Sequence, residues 1–381
     1  MKIIACITLA VAIISTAYCQ PSPPISAIDI GYNDNFSGFD LLKLRQGHVY
    51  IIAEDVHNRQ YAPALTLKFM KALSAQGIRT LAIEGGASTA FLVNRFLQSQ
   101  DTTLLRDIAR HTFFWSLEHF IFFQALAAWN QTLPGNERIM VESADIEIKQ
   151  ESVLLAVNML MANRSIPETL STLATFRSIF NARENHRKQF NALNVQYYYD
   201  KKQCQALVDE TLLELQSAPD KYRNFFGDHF DFFAIMMKDL RDQYFFNYRR
   251  SSKFKFRDDI IFDKLVAVSK RHPEGFLYVV GGKHTMPGAS SFRLKHEPQS
   301  PFKNNVSLIN LTGKMKNGKY LGAKVVTKLS MMYPDIFASP NIVICNDGSH
   351  PLLDAKYYDY TLALADNEHV RPFPNSFWGK R

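Results

Sequence analysis

Cysteine is scarce in this 381-residue chain: there are four, and Cys6 and Cys19 fall within the first twenty positions. With no CxxC and no Cys/His spacing of a zinc site, a cysteine-ligated metal module is excluded. No stretch offers the roughly 20 consecutive apolar residues of a membrane-spanning helix, so no integral membrane segment is expected. There is no Gly-x-Ser-x-Gly turn, which removes the nucleophile elbow of a serine hydrolase. A Gly-rich phosphate loop, internal repeats and low-complexity tracts are also missing. The formal net charge of +8 is spread along the chain among acids, and without a recognition-helix pattern it is not read as nucleic-acid binding. Its densest basic cluster, residues 249–257, is interleaved with aromatics and reads as a solvated helix face or loop. Attraction of that cluster to an anionic surface stays open.

What is present begins with a leader. Lys2 precedes a short apolar run over residues 3–14, and small residues surround a cleavage point at Cys19. The pattern predicts a signal peptide over 1–19 and an exported mature chain from Gln20, periplasmic or extracellular. Lipid attachment at Cys19 would want a small residue where Tyr18 stands. Only Cys204 and Cys345 remain in the mature chain. Export permits a disulfide between them, but the apolar neighbours at 342–344 favour Cys345 as a small buried hydrophobe.

Short, continuously apolar runs at 48–53, 79–83, 138–141, 275–280, 306–311 and 341–345 alternate with longer amphipathic stretches. This is the rhythm of βα units, and it predicts an α/β fold with a mostly parallel central sheet flanked by helices. Helices are expected over 64–76, 87–97 and 117–129, the first ending at Gly77. The interval from about 146 to 270 has helical patterns at 152–162, 207–215 and 228–248 and reads as a helical insertion in one domain spanning 20–381. A hairpin is expected around Asn317-Gly318.

In open parallel sheets, ligands collect beyond the carboxyl ends of the strands. Each of the first four strands is followed there by an ionisable turn: Glu54 and His57, then Glu84 with Gly85 and Gly86, then Glu142 to Asp145, then Gly281, Gly282, Lys283 and His284. Carboxylates directly after buried strands suit proton exchange near neutrality, and His57 can act as a base toward water. His119, His186, His229, His272 and His350 read as ordinary histidines without a catalytic part.

The strand ending in Glu54-Asp-Val-His57, the next ending in Glu84, and the stretch from Trp115 and Glu118 to Asn130 resemble the opening of the erythromycin esterase family. Asp145, the dipeptide Arg241-Asp242 and the strand leading to His284 are similar to its later motifs. The same plan of Glu-x-x-His, Glu and a late His is found in the wider group holding ChaN-like haem-uptake proteins and the Tiki/TraB proteins. The resemblance implies ester or lactone hydrolysis by water, with neither a serine nucleophile, a metal nor another cofactor. It implies His57 as general base, Glu84 as its partner and His284 as transition-state stabiliser, with Glu54 and Arg241 completing the polar shell and Glu118 and Asp145 contacting a small-molecule substrate. Two alternatives stand beside it: a ChaN-like protein that binds haem or another small ligand without catalysis, and a Tiki-like peptidase whose divalent metal is held by His57, Glu84 and His284. No sequence feature specifies an oligomeric state.

Overall fold

The computed structural model describes residues 27–29, 42–54, 61–111, 116–162, 164–190, 201–245, 251–314, 324–338, 341–346 and 358–364. The apolar runs form a sheet whose strands, in chain order, are β1 (Ala27–Asp29), β2 (His48–Glu54), β3 (Thr80–Ile83), β4 (Met140–Ser143), β5 (Gly275–Gly281), β6 (Val306–Gly313), β7 (Asn341–Cys345) and β8 (Tyr360–Leu364). Their spatial order is β1-β7-β8-β6-β2-β5-β3-β4. All pairings are parallel except those of β7 with β8 and β1.

Why the central strands read as unbroken apolar runs is visible in β2, where all seven residues are buried. Tyr50 and Ile52 join the core on one face of the sheet, and Val49 and Ile51 join the core on the other. Alternate side chains of one strand thus fill two layers, which removes any polar face. β4 lies at the sheet edge, and only Val141 of its four residues is buried. There the expected strand at 138–141 begins two residues late, at Met140, because a turn at Gly135–Glu137 occupies the approach. Glu142 consequently belongs to the strand rather than to the turn after it.

The helices are α1 (Tyr61–Ser74), α2 (Ala87–Ser99), α3 (Thr102–His111), α4 (Leu117–Thr132), α5 (Gln150–Leu160), α6 (Ser171–Phe190), α7 (Lys201–Ser217), α8 (Pro219–Phe226), α9 (Phe230–Phe245), α10 (Ser251–Arg271), α11 (Ser290–His296) and α12 (Lys324–Met332). Every described element between β4 and β5 is helical, α5 to α10 with short 3-10 turns. α9 packs on α7 and α2, while α10 packs on α11 across the opposite face of the sheet. The hairpin expected at Asn317-Gly318 and the leader lie outside the described residues. Cys204 is buried on α7 and Cys345 is half-buried at the end of β7, with no disulfide between them. No helix among the described residues is long and apolar enough to cross a membrane.

Gly275 opens β5 at φ +103°, and a Cβ there would stand 2.0 Å from the carbonyl oxygen of His48 on the neighbouring strand. Gly275→Ala is therefore expected to lose on the order of 2–3 kcal/mol, from left-handed strain and a backbone collision together. A lowered urea midpoint at unchanged slope checks this.

Candidate active site

Sheet register decides which side chains can meet. Glu54 pairs with Gly281, and Ile83 pairs with both Val279 and Ser143. The carboxyl ends of β2, β5, β3 and β4, neighbours in that order, therefore finish at nearly one level. Glu54 closes β2, Glu84 follows β3, Asp145 lies two residues beyond β4, and His284 sits in a short 3-10 turn after β5. All four are buried.

The buried charges are held by α10. Arg257 Nη2 donates to Glu84 Oε1 at 2.6 Å, and Arg257 Nε donates to both carboxylate oxygens of Asp145 at 3.0 Å. Nη2 also reaches Asp145 Oδ2. Glu84 Oε2 accepts the backbone N–H of Gly281 at 2.9 Å, which ties β3 to β5. One residue further along α10, Asp258 Oδ1 lies 2.8 Å from His284 Nδ1 and accepts the N–H of Ser290 at 3.2 Å. His284 Nε2 stands 3.5 Å from Glu84 Oε1, so the ring bridges two carboxylates. Burial alone would lower the pKa of His284, but its hydrogen bonds to Asp258 and Glu84 and their charges win and raise it to about 9. The ring is thus an imidazolium at neutral pH, with the Phe254 ring stacked on it at 5.0 Å.

Glu84 and Glu54 open onto a pocket enclosing about 610 Å³, open mouth included. Thr66, Thr89 and His119 add polar atoms, and Leu81, Ile83, Phe122, Phe123 and Val279 contribute an apolar wall. Behind the Glu84 turn lies a second buried group. Glu147 accepts from the backbone and hydroxyl of Ser88 at 2.6 and 2.7 Å, and Asp239 accepts the N–H of Ala87 at 3.1 Å. Between them they satisfy the first N–H groups of α2. Burial first, then the charge of Asp239, pushes Glu147 up to about 7. Lys264 of α10 pairs with Asp239 and donates to the Asp145 carbonyl at 2.5 Å. Gly86 is required here: a Cβ would lie 2.2 Å from the Glu147 carboxyl carbon.

The structure gathers Glu84, Asp145 and His284 into one network and sets Glu54 beside Glu84 on the pocket. Glu118 is buried in the first turn of α4, next to His119. His57 lies outside the described residues. Arg241 is a correction: it lies on α9, 38 % exposed, 4.0 Å from Asp242, and the guanidinium that pairs with Glu84 is Arg257. Within the basic run read as solvated, Arg257 is buried, whereas Lys255 and Phe256 beside it are exposed. Two signals in the sequence point to what was missed. Arg257 continues, at helical spacing, the apolar stripe Ile261, Leu265 and Val268, and His119 precedes Phe122 and Phe123 by three and four residues.

A divalent metal fits these residues poorly. Glu84 already faces a guanidinium, and both ring nitrogens of His284 face carboxylates. Among the described residues no group of three or more His, Cys, Asp or Glu is arranged as a ligand set.

No protein-family model and no curated protein matches the chain. Solved structures do. A Bacillus cereus protein superposes with TM-score 0.58 at 9% identity, covering 93% of this chain and 97% of its own. A succinoglycan biosynthesis protein gives 0.58 at 10% identity, covering 91% and 95%. An erythromycin esterase mutant in its open conformation gives 0.56 at 10% identity, covering 91% and 99%. The chain shares their fold over nearly its whole length.

Removing the shared cation tests the network. Arg257→Met leaves Glu84 and Asp145 buried without it and is expected to cost about 3–5 kcal/mol at neutral pH. Urea unfolding of the variant beside the parent protein checks this. His284, with its folded pKa raised from 6.5 to about 9, contributes stability that is complete below 6.5 and is lost as pH rises through 9. An NMR titration of its ring should find the charged form at pH 7.

Proposed function

We propose that this chain is an exported hydrolase of ester or lactone bonds that uses water directly, without a metal or a covalent enzyme intermediate. The observation that carries the proposal is an imidazolium, His284, held between Asp258 and Glu84, with Glu84 opening onto the same pocket as Glu54. A ring already protonated at neutral pH sets a positive charge beside Glu84, so its part is to stabilise, through that charge, the negative charge that develops on the carbonyl oxygen. The base is then His57, three residues beyond Glu54. It takes a proton from water while Glu84 orients the reacting group. Arg257 and Asp145 hold Glu84 in place. The fold shared with an erythromycin esterase supports this reading, as does the leader at residues 1–19 for export.

Binding of haem without catalysis is the second reading. The described polar residues of the pocket are two carboxylates, two threonines and a histidine, with no lysine or arginine to meet propionate groups. This favours hydrolysis.

The test is release of acid from 4-nitrophenyl and alkyl butanoates and from a macrocyclic lactone, followed in a pH-stat. Turnover is expected to fall at least ~100-fold in His57→Ala and in Glu84→Gln with the circular dichroism of the fold retained, and to be unaffected by strong chelators. A wild-type protein inert toward the whole panel that develops a Soret band with haem would replace this reading with the second.

A further inference from the structure

Ester hydrolysis moves two protons, one away from the attacking water and one onto the departing alkoxide. The groups assigned so far serve the first transfer and the oxyanion. His119 also lines the pocket, in the first turn of α4, on the same helical face as Phe122 and Phe123, which line it too. Its ring is fixed. The buried side chain of Ser116 N-caps α4, accepting the backbone N–H of His119 at 3.3 Å, and its Oγ lies 2.9 Å from His119 Nδ1. A capping side chain that also holds the imidazole through Nδ1 sets the ring plane.

Resting on the hydrolase reading, we propose that His119 is the proton donor to the leaving alcohol. The acid form is the imidazolium, whose Nδ1–H donates to Ser116 Oγ. Glu54 and Glu84, carboxylates in the same pocket, attract its positive charge. In the step, the water oxygen bonds to the carbonyl carbon as one water proton passes to His57. The carbonyl electron pair moves to oxygen. On collapse the carbon–alkoxy bond breaks, its electron pair goes to the alkoxy oxygen, and that oxygen takes the Nε2 proton of His119. Neutral His119 regains a proton through solvent as His57 releases one, so one ester and one water yield one acid and one alcohol.

The experiment uses the full mature chain and two esters with one acyl group: 4-nitrophenyl butanoate, whose leaving group needs no proton, and ethyl butanoate, whose leaving group does. His119→Gln keeps a polar side chain but cannot act as an acid. It is expected to lower kcat/KM at least ~100-fold on the ethyl ester and less than ~5-fold on the nitrophenyl ester. The alkaline limb of the ethyl-ester pH profile should disappear with it. Ser116→Ala keeps the imidazole and should shift that limb, which separates ring chemistry from a folding defect. Equal losses on the two esters, or no loss on either, would overturn the assignment of His119 while leaving the hydrolase reading intact. A wild type inactive on both esters and on the lactone overturns the hydrolase reading and this step together.

Discussion

The end of this sheet holds two buried carboxylates on neighbouring strands, Glu84 after β3 and Asp145 after β4, and neither is stable there without a cation. Arg257 is that cation, and because it comes from α10 it also decides where α10 lies. Its neighbour Asp258 then reaches His284, and Phe254, three residues earlier on the helix, covers the His284 ring. Further along the same stripe, Ile261, Leu265 and Val268 enter the apolar core beneath the sheet. The interaction that assembles the site therefore continues into the packing that secures the fold. Geometry at His284 cannot change without moving a core helix.

That dependence explains what could be read from the sequence. The ends of β2, β3 and β5 were legible because a strand buried on both faces leaves an unbroken apolar run, and the first ionisable residue after it marks the rim. β1 is three residues long, too short to carry a pattern. Arg257 was hidden for a different reason. A basic run among aromatics ordinarily faces water, and only the acids it meets from β3 and β4, more than a hundred residues earlier, reverse that expectation. The dipeptide Arg-Asp occurs at 106–107, 241–242 and 257–258, so the motif without its three-dimensional partners does not single out the copy that meets Glu84.

A second layer of charge keeps the Glu84 turn from moving. Asp239 on α9 and Glu147 before α5 cap α2 from the helical insertion, and Lys264 joins Asp239 to the carbonyl of Asp145. The insertion thus does more than roof the sheet. Its carboxylates end the turn that aims Glu84, while Glu147, pushed up to about 7, relieves part of the repulsion that two full charges would create there. Gly86 fits because any side chain would displace that carboxyl.

The charge count around the pocket bears on which molecules pass through it. Among the described residues lining the pocket, Glu54 and Glu84 are the carboxylates, and no lysine or arginine stands with them. Under the proposed hydrolysis, that lining disfavours anionic ligands and accepts neutral ones. In the proposed hydrolysis of a neutral ester this balance changes at the moment of reaction, because the acid product ionises near neutral pH. It then meets two carboxylates on the pocket wall, at a few ångströms in a partly desolvated site, where like charges repel by several kcal/mol. In that proposal the carboxylates that orient the reacting group and attract a proton donor also help to expel the product, so binding selectivity and product release follow from one arrangement of charge.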